Sequence, residues 1–165
     1  MFVFSLRANK KRFVIILAVL VAVLITAFII INRDSPVVND GAISLKASNQ
    51  QERLAFLSQF GWEVDEEPIR VEEVIIPTQF NSVYEKYNKL QLTQNFDLTK
   101  YAGKTAKKWT YRIKNYPGYG ADSSLIEVNL LVCEGVVIGG DVSNLEHGGF
   151  MSGFDFPEQG EQLVE

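Results

Sequence analysis

Cysteine and histidine are almost missing from this chain: Cys133 and His147 are the only ones among 165 residues. A single cysteine excludes an intramolecular disulfide framework, so a domain outside the membrane must hold itself together with an apolar core. A single imidazole among scattered carboxylates makes no metal site of recognised spacing. Internal repeats and low-complexity runs are also absent. Gly135, Gly139 and Gly140 stand in GVVIGGD, which has neither the G-x-G-x-x-G spacing nor the Lys-Ser/Thr pair that grips phosphate. No cysteine lies near the first apolar run to make a lipoprotein.

One stretch lacks polar groups almost entirely. Phe13 to Ile31 reads FVIILAVLVAVLITAFIII, with no charge and only Thr26 polar. At about 1.5 Å per residue, such a helix nearly spans a hydrocarbon core of about 30 Å. A soluble helix of that length would carry a polar stripe, and this one has none. Arg7, Lys10, Lys11 and Arg12 precede it, whereas Arg33 on the far flank is answered at once by Asp34. Positive residues stay inside, which places the N-terminus in the cytoplasm. The run is longer than the apolar part of a signal peptide, and Ile29, Ile30, Ile31, Asn32 and Arg33 offer no small-residue cleavage site. An uncleaved anchor is expected. No G-x-x-x-G motif predicts helix pairing within it.

The organisation expected is therefore a cytoplasmic basic segment at 1–12, a transmembrane helix at 13–31 and a linker at 32–47. An extracytoplasmic domain at 48–156 and a tail at 157–165 follow. The protein would sit in the cell membrane with a single pass. The formal net charge is −4, but from Asp34 onward 11 Lys or Arg face 20 Asp or Glu, so the outer part carries 11 − 20 = −9. An acidic surface excludes nucleic acid as a partner and argues against broad adhesion to anionic lipid or wall polymer.

Within the outer part, Ser48 with Gln51, or Asn49 with Glu52, matches a capping box, and Leu54, Phe56, Leu57 and Phe60 follow at helical spacing up to Gly61. Pro68 and Pro77 bracket a β-branched strand at Ile69 to Ile76, and a short extended piece is expected at Trp62 to Val64. Phe80, Val83, Tyr84, Tyr87 and Leu90 recur at three and four, predicting a second helix. Beyond it the pattern alternates. Trp109, Tyr111 and Ile113 face one way, and Ile126, Val128, Leu130 and Val132 make a second apolar face. NYPGYG at Asn115 to Gly120 and the Glu134-Gly135 pair supply turns. The fold class is α+β: two helices packed on one face of a small antiparallel sheet that ends in a C-terminal β-meander.

Few residues suggest chemistry. Cys133 and His147 could serve a small envelope hydrolase, with Asp141 or Glu146 orienting the imidazole, if they came within hydrogen-bond reach. Cys133, however, lies in the strand-like run NLLVCEGVV, where a half-buried inert thiol is ordinary. No catalytic, metal or cofactor-binding residue is assigned. The acidic group Asp65, Glu66, Glu67, Glu72 and Glu73 lacks the spacing of a calcium loop. The stripe Lys104, Lys108, Arg112 and Lys114 could meet an anionic envelope polymer or pair across strands with Glu127. The candidate partner-binding residues are aromatic: Tyr116 and Tyr119 beside Pro117, and Phe150, Phe154 and Phe156 beside Met151.

The segments ERLAFLSQFGWEVDEEPIRVEEVIIPTQF, VYEKYNKLQ, NFDLTKYAGK, NYPG, NLLVCEGVVIGGDV and GFMSGF resemble the bacterial family known as domain of unknown function 4830, over about Gln50 to Phe154. The resemblance implies a membrane-anchored protein of Gram-positive bacteria and carries no activity, cofactor or catalytic residue. The function expected is a membrane-anchored extracytoplasmic module that binds an envelope protein or peptide. The alternatives are a small enzyme using Cys133 and His147, or an envelope-sensing regulator. The dozen residues inside are too few to fold as an effector.

Overall fold

The computed structural model describes residues 43–157. The basic segment 1–12, the expected span 13–31, most of the linker and the last eight residues lie outside that range. Among the described residues no helix is long and apolar enough to cross a membrane.

Helix α1 (Gln50–Ser58) starts where the capping signal falls. Asn49 is the N-cap, its side chain accepting from the Glu52 backbone N–H at 2.9 Å, while the Glu52 carboxylate accepts from the Ser48 N–H at 2.7 Å. These bonds satisfy donors that the first turn would leave orphaned. The helix unwinds through Gly61 at φ +85, and Trp62 N–H closes back on the Leu57 carbonyl. Strand β1 (Arg70–Ile75) follows, then α2 (Ser82–Thr93), capped by Asn81 and ended by Asn95 at φ 64. A single 3₁₀ turn at Leu98–Tyr101 leads into β2 (Thr105–Arg112), β3 (Ile126–Cys133), β4 (Val136–Asn144) and the two-residue β5 (Met151–Ser152).

The five strands form one antiparallel sheet in chain order, β1-β2-β3-β4-β5. The meander therefore includes β1, which lies at an edge beside β2. Glu134 and Gly135, with φ 53 and 79, make the tight β3–β4 turn. Two positive φ values are what a two-residue hairpin of this hand requires, and glycine meets the second without steric cost. Ile138 is the extra residue of a bulge, because Leu131 pairs with Gly139 whereas Val132 pairs with Val137. The expected short extended piece survives as a single bridge between Val64 and Ile113. At the linker end, Lys46 bridges Val136 and Ala47 N–H bonds the Gly135 carbonyl, so pairing begins before Ser48.

The expectation that both helices lie on one sheet face is corrected. Successive residues of β3 point to opposite faces, and they enter different clusters. Ile126, Val128, Leu130 and Val132 pack with Phe56 and Leu57 of α1, together with Tyr111 and Phe154. Leu131 and Cys133 pack with Leu98 and Ile76, against which Tyr87 of α2 and Phe80, just before that helix, lean. The domain thus has three layers, with α1 on one face and α2 with its 3₁₀ turn on the other. The run LLVC is apolar at every position, and a strand of that kind needs cover on both sides.

Candidate interaction surface

Alternation along Gly149–Ser152 sends Phe150 to one face of the sheet edge and Met151 to the other. Below Met151, β5 and the exposed flank of α2 enclose a groove of about 640 Å³, lined by Val83, Tyr84, Tyr87, Leu90 and Met151. Its lips are unusually bare: Val83 is 72% and Met151 55% exposed. The helical spacing Val83–Tyr84–Tyr87–Leu90 thus does not mark a buried face, since the α2 residues that are buried are the polar Asn88 and Gln91.

On the opposite side Phe150 stacks on Tyr116 at 5.3 Å between ring centroids, and Tyr116 continues to Trp62 at 5.8 Å and to Tyr119 at 5.7 Å. Phe156 closes the row against Trp62 at 4.6 Å. The tyrosine turn and the tail, 30 or more residues apart in sequence, therefore form one aromatic row. The Tyr119 hydroxyl donates to Glu146 at 2.9 Å and accepts from Asn144 at 2.6 Å. The hydrogen bond to the Glu146 carboxylate, with burial second, raises the Tyr119 phenol above its ordinary range, while burial does the same for Tyr116.

Phe154 is placed differently. It is 0% exposed, touches the rings of Phe56, Phe60 and Phe96, and its carbonyl accepts from the Trp62 indole at 2.6 Å. It anchors the tail from inside, and only Tyr116, Tyr119, Phe150 and Phe156 of the five aromatic candidates offer surface.

Most of the basic stripe and part of the acidic group are paired locally. Asp65 faces Lys114 at 3.1 Å and Arg112 at 3.8 Å, and Glu72 holds Lys108 at 2.7 Å and Arg70 at 3.3 Å. Lys104 pairs with Glu134 at 3.2 Å. Arg112 stands opposite Glu127 in the strand register, yet the Glu127 carboxylate is taken by Arg70, at 3.0 Å from two strands away. Lys108, Arg112 and Lys114 of the basic stripe thus meet Asp65 and Glu72 of the acidic group, whereas Glu66, Glu67 and Glu73 enter none of these ion pairs. Among the described residues no cluster of His, Cys, Asp or Glu is arranged to hold a metal ion.

Cys133 and His147 do not meet. Cys133 is buried and pairs with Val136 at the start of β4, whereas exposed His147 follows the far end of that strand at Asn144. Eight residue steps at about 3.3 Å put them roughly 25 Å apart. A nucleophile and base must lie within hydrogen-bond reach, so the hydrolase arrangement is excluded by geometry.

The family model described as "Domain of unknown function (DUF4830)" matches residues 56–142, more than half of the chain. The chain belongs to this family. The DUF4830 match runs from the middle of α1 to the end region of β4, and so stops short of β5, Met151 and the aromatic tail. No curated protein and no solved structure matches the chain. Membership in DUF4830 brings no activity with it. Sequence reasoning missed Met151 and α2 as the two walls of one groove, since no local pattern reports which helix flank a distant strand leaves uncovered.

Proposed function

We propose that this DUF4830 chain is a non-enzymatic interaction module of the bacterial envelope, anchored by residues 13–31 with its N-terminus inside and its domain outside. The partner is a protein or peptide that lays apolar side chains into the groove between α2 and β5. The observation that carries this reading is the groove itself, whose lips Val83 and Met151 expose large apolar side chains beside each other. Contiguous apolar surface rimmed by polar residues is the usual mark of a contact site. The half-exposed row of Tyr116, Tyr119, Phe150 and Phe156 borders the same edge and would extend the contact.

The test is site-specific photocross-linking from position 83 in the full chain, in the membranes of its own organism. A single saturable adduct is expected, and Met151→Asp should abolish it while the thermal transition of the domain stays where it was. An adduct that persists unchanged in the Met151→Asp chain, or labelling that never saturates, would sink the reading. Reporter fusions at the two ends check the topology: an active extracytoplasmic reporter at the N-terminus would contradict it.

A further inference from the structure

Among the described residues no carboxylate pairs with Arg53, although most of that side chain is buried. Arg53 of α1 is 5% exposed, and its guanidinium sits over the Trp109 ring, 3.5 Å from the centroid. Its Nε donates to the Tyr111 hydroxyl at 2.9 Å, and Nη1 reaches the Ala47 carbonyl at 3.5 Å. A guanidinium has five N–H donors; with two engaged, 5 − 2 = 3 find no acceptor among the described residues. None of the ion pairs among those residues includes Arg53. Nη2 makes no bond yet is not sealed from solvent, since the buried side-chain nitrogen left without a partner among the described residues is Arg112 Nε; the free edge of the Arg53 guanidinium is thus open to a ligand.

The same guanidinium forms part of the wall of a cleft of about 310 Å³, with Ser48, Thr105, Lys107, Trp109, Glu73 and Glu134 around it. Glu134 is already engaged by Lys104 at 3.2 Å. We propose that this cleft is a carboxylate-binding site, in which Arg53 holds the ligand and Trp109 fixes the plane of the guanidinium. A carboxylate fits the free edge of that fork with two parallel hydrogen bonds, and Thr105 brings a hydroxyl to the same wall, while the Ser48 hydroxyl donates to the Gly135 carbonyl at 3.4 Å. A singly charged group is favoured over phosphate, because Glu73 and Glu134 in the wall repel a second negative charge. The volume is at the small end of the roughly 300–1,000 Å³ found for ligand sites, which suits a small organic acid or the last residue of a peptide. The cleft lies on β1, β2, the end of β3 with its Glu134-Gly135 turn, and the first half of α1, and it shares no lining residue with the groove at β5. It is independent of the groove.

The experiment titrates the full chain in detergent with acetate, with N-acetyl-alanyl-alanine, with the C-terminal amide of that dipeptide, and with inorganic phosphate, at constant ionic strength. Binding is read by calorimetry and by tryptophan emission, since Trp109 touches Arg53. Both carboxylates should bind saturably, and the amide and phosphate at least tenfold more weakly. A dipeptide acid that binds tenfold tighter than acetate identifies a chain terminus as the natural ligand, and equal affinities identify a small acid. Arg53→Lys, which keeps the charge but loses the fork, should weaken carboxylate binding at least tenfold, and Lys107→Ala, at an exposed position, should weaken it a few-fold without touching the fold. The proposal is overturned if the amide binds as well as the acid, if phosphate binds more tightly than either carboxylate, if no titration saturates, or if a folded Arg53→Lys chain binds as before.

Discussion

Gln91 pairs with Gly140 as though it were a neighbouring strand: its side-chain Oε1 accepts from the Gly140 N–H at 2.8 Å, and its Nε2 donates to the Gly140 carbonyl at 3.0 Å. Gln94, one residue beyond α2, adds a donation to the same carbonyl at 3.2 Å and accepts from the Phe154 N–H at 2.7 Å. β5 covers only Val142 and Ser143 of β4. The primary amide of Gln91 thus finishes the edge that β5 leaves bare, which both satisfies buried backbone groups and closes a site where another strand could add.

Replacing Gln91 with Ala removes both bonds, strands the Gly140 N–H in a buried site and opens a cavity. Lost hydrogen bonds and cavity terms of this kind cost about 2–4 kcal/mol together. Urea unfolding should show that loss. Gln91→Glu should cost nearly as much at neutral pH, because a carboxylate cannot donate to the carbonyl.

Gly140 cannot carry a side chain in this setting. A Cβ there would run into the Asn129 carbonyl oxygen and the ring of Phe154, one of them backbone that cannot step aside. Gly140→Ala should destabilise the domain by about 3 kcal/mol or more, whereas Gly120→Ala, whose Cβ meets nothing, should leave the thermal midpoint unchanged.

Asp141 supplies the pH dependence. It is 4% exposed, and burial raises its carboxyl above the ordinary range, although Asn129 at 3.0 Å, Tyr87 at 2.8 Å and Ser143 act to lower it. With the folded pKa above the unfolded one, the folded state binds more protons between the two. The stability contributed by neutral Asp141 is therefore fully present below pH of about 4 and is lost as pH rises through the folded pKa. Asp141→Asn, which can accept from Asn129 and donate to the Tyr87 hydroxyl, should remove that decline and leave the protein equally or more stable at pH 7. Chemical denaturation of both chains from pH 4 to 8 checks the sign.

The aromatic tail separates into anchor and surface. Phe154→Ala should cost about 3–5 kcal/mol, as for other large core truncations. Phe156→Ala, at 36% exposure against Trp62, should cost about 1 kcal/mol. Equal losses at the two positions would mean that the tail packs differently.

The elements themselves were legible because each is written over a few adjacent residues. Asn49 and Glu52 cap α1, Pro68 and Pro77 bracket β1, and the Glu134-Gly135 pair turns the β3–β4 hairpin, all within the reach of local backbone geometry. The second covered face was legible too in principle, in the unbroken apolar run Leu130 to Cys133, where strict alternation fails. Assigning both helices to one face overlooked that run. Tyr116 and Trp62 could be named as aromatics, but not as neighbours.

The sequence by itself determined an acidic, disulfide-free α+β domain with its turns and caps, because periodicity and turn chemistry act within single segments. The tertiary structure alone decided which polar side chains are buried and what they hold: Gln91 against Gly140, 49 residues on, Arg53 over Trp109, and Tyr87 on Asp141. It also decided that Phe154 turns inward while Met151 stays bare beside α2. A residue's type sets what it can bond, but whether it is dry, and which partner stands within 3 Å, depends on segments brought together from across the chain, and no local pattern records that meeting.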